Sequence, residues 1–110
     1  MNKTTVIGRL GADAVVRNGK NGDYITYRLA VDTYKTNGEK DTTWFFCKQN
    51  TKEDSRLVNY LKKGTQVFAE GRVSAFALED GKPQLSLFVL NMELLGGSQQ
   101  GKYNGNEVPF

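Results

Sequence analysis

Residues 65–78 read TQVFAEGRVSAFAL. At a period of two the stretch separates into two unlike faces. Val67, Ala69, Gly71, Val73 and Ala75 are small and apolar, whereas Phe68, Glu70, Arg72, Ser74 and Phe76 mix rings with charges. The first face suits the tight interior of a small barrel. The second is left to face outward.

The flanking sequence extends this strand into a fold. Glu79-Asp80-Gly81 is a turn, and KPQLSLFVLNMELLG (82–96) is a final strand. From Leu87 to Leu90 it is apolar on both faces, so a helix or a second subunit is expected to cover it. Upstream, KEDSRLVNYLKKG (52–64) is the only helical signal. Asp54 or Ser55 would cap it, Leu57, Val58 and Leu61 would face the core, and Gly64 would end it in the left-handed conformation. Before it, TTWFFCKQ (42–49) has strand residue types, and TYKTNGEKD (33–41) is a charged loop. YITYRLAVD (24–32) alternates, with Ile25, Tyr27, Leu29 and Val31 on one face. NGKNGD (18–23) is a turn. KTTVIGRL (3–10) is a strand that bends near Gly8 and Gly11, and AVVRN (14–18) continues it.

Three strands, a helix and two strands are the order of an all-β OB-fold: a five-stranded Greek-key barrel with one short helix between strands 3 and 4. A small α+β sandwich fits the same order. Residues 1–96 form the folded domain in this reading. Residues 97–110 form a short flexible tail that ends KYNGNEVPF.

At 110 residues, 38% hydrophobic and 25% charged, the chain is sized for one soluble domain. No apolar run is long enough to cross a membrane, and the N-terminus has no secretory pattern. One cysteine makes no internal disulfide, and the cytoplasm is the expected compartment. The net charge of +3 favours a polyanion only weakly. The lack of any histidine says more, because it removes histidine-based acid–base chemistry, histidine zinc sites and catalytic triads. Cys47 has no base to activate it and reads as a small buried hydrophobe. No phosphate-cradling GxxxxGK[ST] occurs. We expect no enzyme, no cofactor and no metal.

Rings and cations interleave on the strands instead. Trp44, Phe68 and Phe76 lie among Arg9, Arg28, Lys48 and Arg72. Bases stack on exposed rings whatever their identity, and cations between the rings hold phosphates. Three consecutive aromatics cannot share a face, so Phe45 is assigned to the core, with Trp44 and Phe46 outward.

The blocks MNKTTVIGRLGADAVVR (1–17), YRLAV (27–31), TTW (42–44), YLKKGTQVFAEGRV (60–73) and NMELLG (91–96) resemble, in order and spacing, the bacterial and phage single-stranded-DNA-binding (SSB) proteins. The resemblance implies an OB-fold that assembles as a homotetramer, a dimer of dimers, and a nucleoid-associated location. It implies sequence-independent binding of single-stranded DNA in replication, recombination and repair. It places stacking positions at Trp44, Phe68 and Phe76, with Tyr34 near a fourth. Arg9, Arg28, Lys48, Lys62 and Arg72 become candidate phosphate contacts. One stacking phenylalanine of better-known members falls at Asn50. Glu107, Val108, Pro109 and Phe110 resemble a shortened version of the acidic tip that such proteins dock into replication and repair partners. Two other readings stay open: an RNA-binding or primosome-accessory OB-fold, and a protein-interaction barrel whose rings are all interface.

Overall fold

The computed structural model describes residues 1–51 and 56–96. Six strands form one sheet: β1 (Thr4–Leu10), β2 (Val15–Gly19), β3 (Gly22–Tyr34), β4 (Lys40–Asn50), β5 (Gln66–Ala77) and β6 (Pro83–Gly96). Their order is β1-β5-β6-β4-β3-β2, and the end of β1 pairs also with β3 through Arg9↔Ala30 and Leu10↔Leu29. Every pairing is antiparallel except β4–β6, which is parallel.

The architecture is OB-fold-like, but it corrects the sequence expectation in two respects. The sheet has six strands and is not the five-stranded barrel anticipated. Val15–Gly19 does not prolong the first strand. The chain bends at residues 11–12, and Val15–Gly19 folds onto β3 through the tight Gly19–Gly22 turn. The expected helix is also absent from the described part of 52–64, where Leu57–Tyr60 is a single 3-10 turn without a side-chain cap. Residues 52–55, which hold the expected caps Asp54 and Ser55, lie outside the described residues. A helix this short has little intrinsic stability, and tertiary bonds compete for its backbone. Leu61 is fully buried and its carbonyl accepts from Ala14 N–H at 2.8 Å, so the chain leaves helical geometry there. Gly64 does take the expected left-handed conformation (φ 87°), but within a turn whose N–H bonds Leu10 O.

The core lies against the inner faces that the alternation marked. Ile25, Tyr27 and Leu29 of β3, Phe45 and Cys47 of β4, and Val67 and Ala69 of β5 are buried. A large apolar side chain of this set contributes roughly 1.5–3 kcal/mol by leaving water. β5 then runs past the core, and Ala75 is exposed.

β6 behaves differently from its sequence pattern. Glu70 pairs with Asn91 but Gly71 pairs with Val89, so Leu90 is an extra residue in a bulge; Leu95 is a second one. Before the bulge Leu87 and Val89 point inward, and after it Met92 and Leu94 do. Leu90 is turned out and 63% exposed. The doubly apolar run therefore records a change of face. It does not reflect burial by the anticipated helix.

Candidate nucleic-acid interface

The strand registers place one set of side chains on a common outward face. Tyr24, Thr26 and Arg28 of β3 stand beside Asn50, Lys48 and Phe46 of β4, and Ala30 stands beside Trp44. Phe46 and Lys48 in turn neighbour Ser86 and Phe88 of β6. Phe88, Ser86 and Gln84 then meet Arg72, Ser74 and Phe76 of β5. Directly opposed residues share a face. None of these positions carries a carboxylate, although the whole chain has 12. The patch is locally cationic, with Asp32 and Glu70 at its margins, one alternation beyond Ala30 and Arg72.

Three cations on this face each hold a ring. The Arg28 guanidinium lies 5.1 Å from the Trp44 centroid, Lys48 Nζ 4.3 Å from that of Tyr24, and the Arg72 guanidinium 5.4 Å from that of Phe88. Each pair is worth about 0.5–1 kcal/mol at an exposed site and fixes the ring's orientation. Trp44 is 40% exposed and Phe76 46%. Gly11 makes room for the indole: a Cβ there would stand 2.6 Å from Cζ3 of Trp44. Phe45, as expected, is buried between these outward neighbours.

The other predicted site residues lie apart. Tyr34, 70% exposed, closes β3 opposite Lys40 at the hairpin that follows. Phe68 stands between Ile7 of β1 and Glu93 of β6 and lines an apolar cavity of about 280 Å³ with Ile7 and Leu95. Arg9 donates from Nη1 to Gly64 O at 2.9 Å, and Lys62 lies 3.9 Å from Asp13. Both tie the end of β1 to the connection before β5. The tail residues Glu107, Val108, Pro109 and Phe110 lie outside the described residues.

Tyr24 and Phe88 were missed as site residues. Tyr24 has the same parity as Arg28, so the count of two that turned Arg28 outward also marks Tyr24. It is the cross-strand partner of Asn50, the position where the resemblance leads one to expect a ring. Phe88 was hidden in the apolar run of β6.

Among the described residues two titratable groups are strongly shifted, and both are structural. Burial pushes the Cys47 thiol up to about 12. Burial, helped by Cys47, also raises Tyr27, whose hydroxyl donates to Gln49 Oε1 at 2.7 Å. Neither group is poised for chemistry at neutral pH. Among the described residues no cluster of three or more His, Cys, Asp or Glu side chains is placed to hold a metal.

An outward patch of rings, cations and amides can stack flat aromatic ligands and hold anions beside them, which is the chemistry of OB-like polyanion-binding modules. The chain belongs to the single-strand binding protein family, whose model matches residues 1–95. That family is one of binding proteins, not enzymes. The single-stranded DNA-binding protein of Chlamydia pneumoniae is 34% identical over 105 residues, covering 93% of this chain and 64% of its own length. That of Bacillus cereus is 32% identical over 116 residues, covering 94% and 68%. The chain thus spans about two-thirds of the length of these curated relatives. A small single-stranded DNA-binding protein from Streptomyces coelicolor has a similar fold, with TM-score 0.71, 18% identity and coverage of 84% of this chain and 92% of that one. So does a Plasmodium falciparum SSB solved in complex with ssDNA, with TM-score 0.64, 20% identity and coverage of 87% and 94%. At such identities the structural likeness concerns the fold.

Proposed function

We propose that the chain binds and protects single-stranded DNA without sequence preference, in replication, recombination and repair. The single observation that supports this most is the outward patch on which Arg28, Lys48 and Arg72 each sit on a ring. Bases stack on Trp44 and Phe76 while the three cations meet phosphates. Phe68, Tyr34, Arg9 and Lys62 lie off the centre of this face and take a lesser part. Residues 1–96 carry the binding. The protein acts in the cytoplasm at the nucleoid, and the Glu107–Phe110 segment makes weak contacts with replication or repair proteins.

We further infer the homotetrameric assembly that family membership suggests. Ile7, 51% exposed, and Leu90, 63% exposed, supply apolar surface for contacts between copies.

Titration of Trp44 fluorescence with a long oligothymidine tests the reading. Stacking predicts strong quenching. Three phosphate contacts predict a slope near −2 for log affinity against log salt, from about −0.7 per contact. A flat titration at low salt would sink the proposal. Because Trp44 is the sole tryptophan, Trp44→Ala is followed by anisotropy of labelled DNA, and a loss of about 1–3 kcal/mol is expected.

A further inference from the structure

β2 ends the strand order of the sheet, and among the described residues only β3 pairs with it. The register decides which backbone groups this leaves over. Gly19↔Gly22 closes a two-residue turn, so that pair exchanges hydrogen bonds, as do Arg17↔Tyr24 and Val15↔Thr26 in phase with it. The N–H and C=O groups of Val16 and Asn18 therefore point away from β3, outward in the plane of the sheet. Ala14 has the same phase, and its N–H does leave on this side, donating to Leu61 O at 2.8 Å. Leu61 thus occupies the start of the edge. The next two steps, Val16 and Asn18, are open among the described residues.

Every residue of β2 is exposed, Val15 and Val16 included. An open edge with apolar side chains is a template for another strand. Its charge selects which strand. Residues 14–20 carry Arg17 and Lys20 and no acid; residues 56–64 carry Arg56, Lys62 and Lys63 and no acid. The two carboxylates that flank β2 in sequence are engaged. Asp23 accepts from Asn18 Nδ2 at 2.7 Å, and Asp13 accepts from Lys63 N–H at 2.8 Å with Lys62 Nζ at 3.9 Å. A second copy paired edge to edge would bring two sets of cations together, which is unfavourable across a ladder. A nucleic acid would meet the cations but leave the valines and the outward amides uncovered.

We propose that the outer edge of β2 docks an extended segment of a partner protein, apolar at its centre and acidic at its ends, by strand addition. The partner's backbone bonds Val16 and Asn18, its β-branched side chains cover Val15 and Val16, and its carboxylates meet Arg17 and Lys20. Arg17 borders the ring-bearing patch, since its Nε donates to Thr26 Oγ1 at 3.4 Å, but the bonding edge lies outside that patch. The inference does not depend on the single-strand reading.

The probe is a labelled peptide with Val-Thr-Val-Ile at its centre and two glutamates at each end, followed by anisotropy against the full chain. The unsubstituted protein should bind it, and a peptide with lysines in place of the glutamates should bind roughly ten-fold more weakly. Val16→Pro removes the outward N–H and no β3 ladder bond, and should weaken the acidic peptide roughly five-fold. Its oligothymidine binding should not change. Arg17→Glu, at an exposed position, should weaken the acidic peptide and strengthen the lysine one, and it decides the matter if Val16→Pro fails to fold. No binding of the acidic peptide by the unsubstituted chain would overturn the proposal. Binding that survives both substitutions would overturn it by placing the peptide elsewhere. Weaker oligothymidine binding by folded Val16→Pro would give the edge to DNA, and a lower mass by light scattering would give it to a second copy; either result overturns the proposal.

Discussion

Trp44 shows how much of a site one side chain can carry and how little of its setting a sequence reveals. Its outward direction follows from the impossibility of placing Trp44, Phe45 and Phe46 on one face. Its support does not: Gly11, more than thirty positions away, leaves the space under the indole that a Cβ would fill. Gly11→Ala should therefore displace the ring. The expected outcome is altered Trp44 emission in the free protein and weaker binding of oligothymidine, with little change in the melting temperature. Cys47 is the opposite case, fully legible as a buried hydrophobe from its strand and its lack of a partner. With its pKa pushed up to about 12 by burial, the folded thiol keeps a proton that the unfolded chain releases near pH 9. Unfolding thus liberates a proton between about pH 9 and 12, so stability present below pH 9 is lost as pH rises through that window. A thiol–disulfide reagent at pH 8 should leave the native protein unmodified and label it only after denaturation. Labelling of the native state would place Cys47 at the surface.

At the scale of the element, β6 decides what was readable and what was not. Alternation located β3 and β5 and their inner faces because neither strand slips along its own length. β6 carries its extra residues at Leu90 and Leu95, and a bulge leaves no local signature when apolar residues stand on both sides of it. Two substitutions test the face change. Leu87→Ala, at a fully buried position, should cost about 2–5 kcal/mol in a urea melt. Leu90→Ser, although only three residues away and 63% exposed, should change the stability of a single chain by no more than about 0.5 kcal/mol. A large loss at Leu90 in a protein that remains monomeric would show that the bulge is misplaced. On the neighbouring strand, Gly71 is required by close approach: a Cβ there would collide with the Phe88 carbonyl oxygen. Gly71→Ala should destabilise the β5–β6 pair by about 1–3 kcal/mol and perturb Phe88 with it. The missing helix has a different lesson. The apolar spacing of 57–61 correctly marked residues that approach the core, but burial of Leu61 and the bond from Ala14 determine the backbone, and both are long-range.

For the whole molecule, most strand positions were legible, but the separate strand Val15–Gly19 and the long-range pairings were not. The pairing of β1 with both β5 and β3, and the parallel contact of β4 with β6, join segments distant in sequence that no local pattern specifies. That parallel contact brings Phe88 beside Lys48 and so completes the outward face. The candidate rings Trp44 and Phe76 and the cations Arg28, Lys48 and Arg72 could be named in advance, and the alternation of β3 marks Tyr24 with them, whereas the company of Phe88 could not be read. Assembly belongs to this scale as well. Light scattering should give the mass of four chains, and Ile7→Lys, on exposed apolar surface of β1, should lower it without unfolding the chain; an unchanged mass would put the contacts elsewhere. The measurement that bears most directly on the central claim is where the DNA lies. Oligothymidine carrying 5-iodouracil, photocrosslinked to the full chain and mapped by peptide mass, should attach to Trp44, Phe76, Tyr24 and Phe88. Crosslinks confined to the Ile7–Phe68–Leu95 side, with none on the outward face of β3, β4, β5 and β6, would contradict the account.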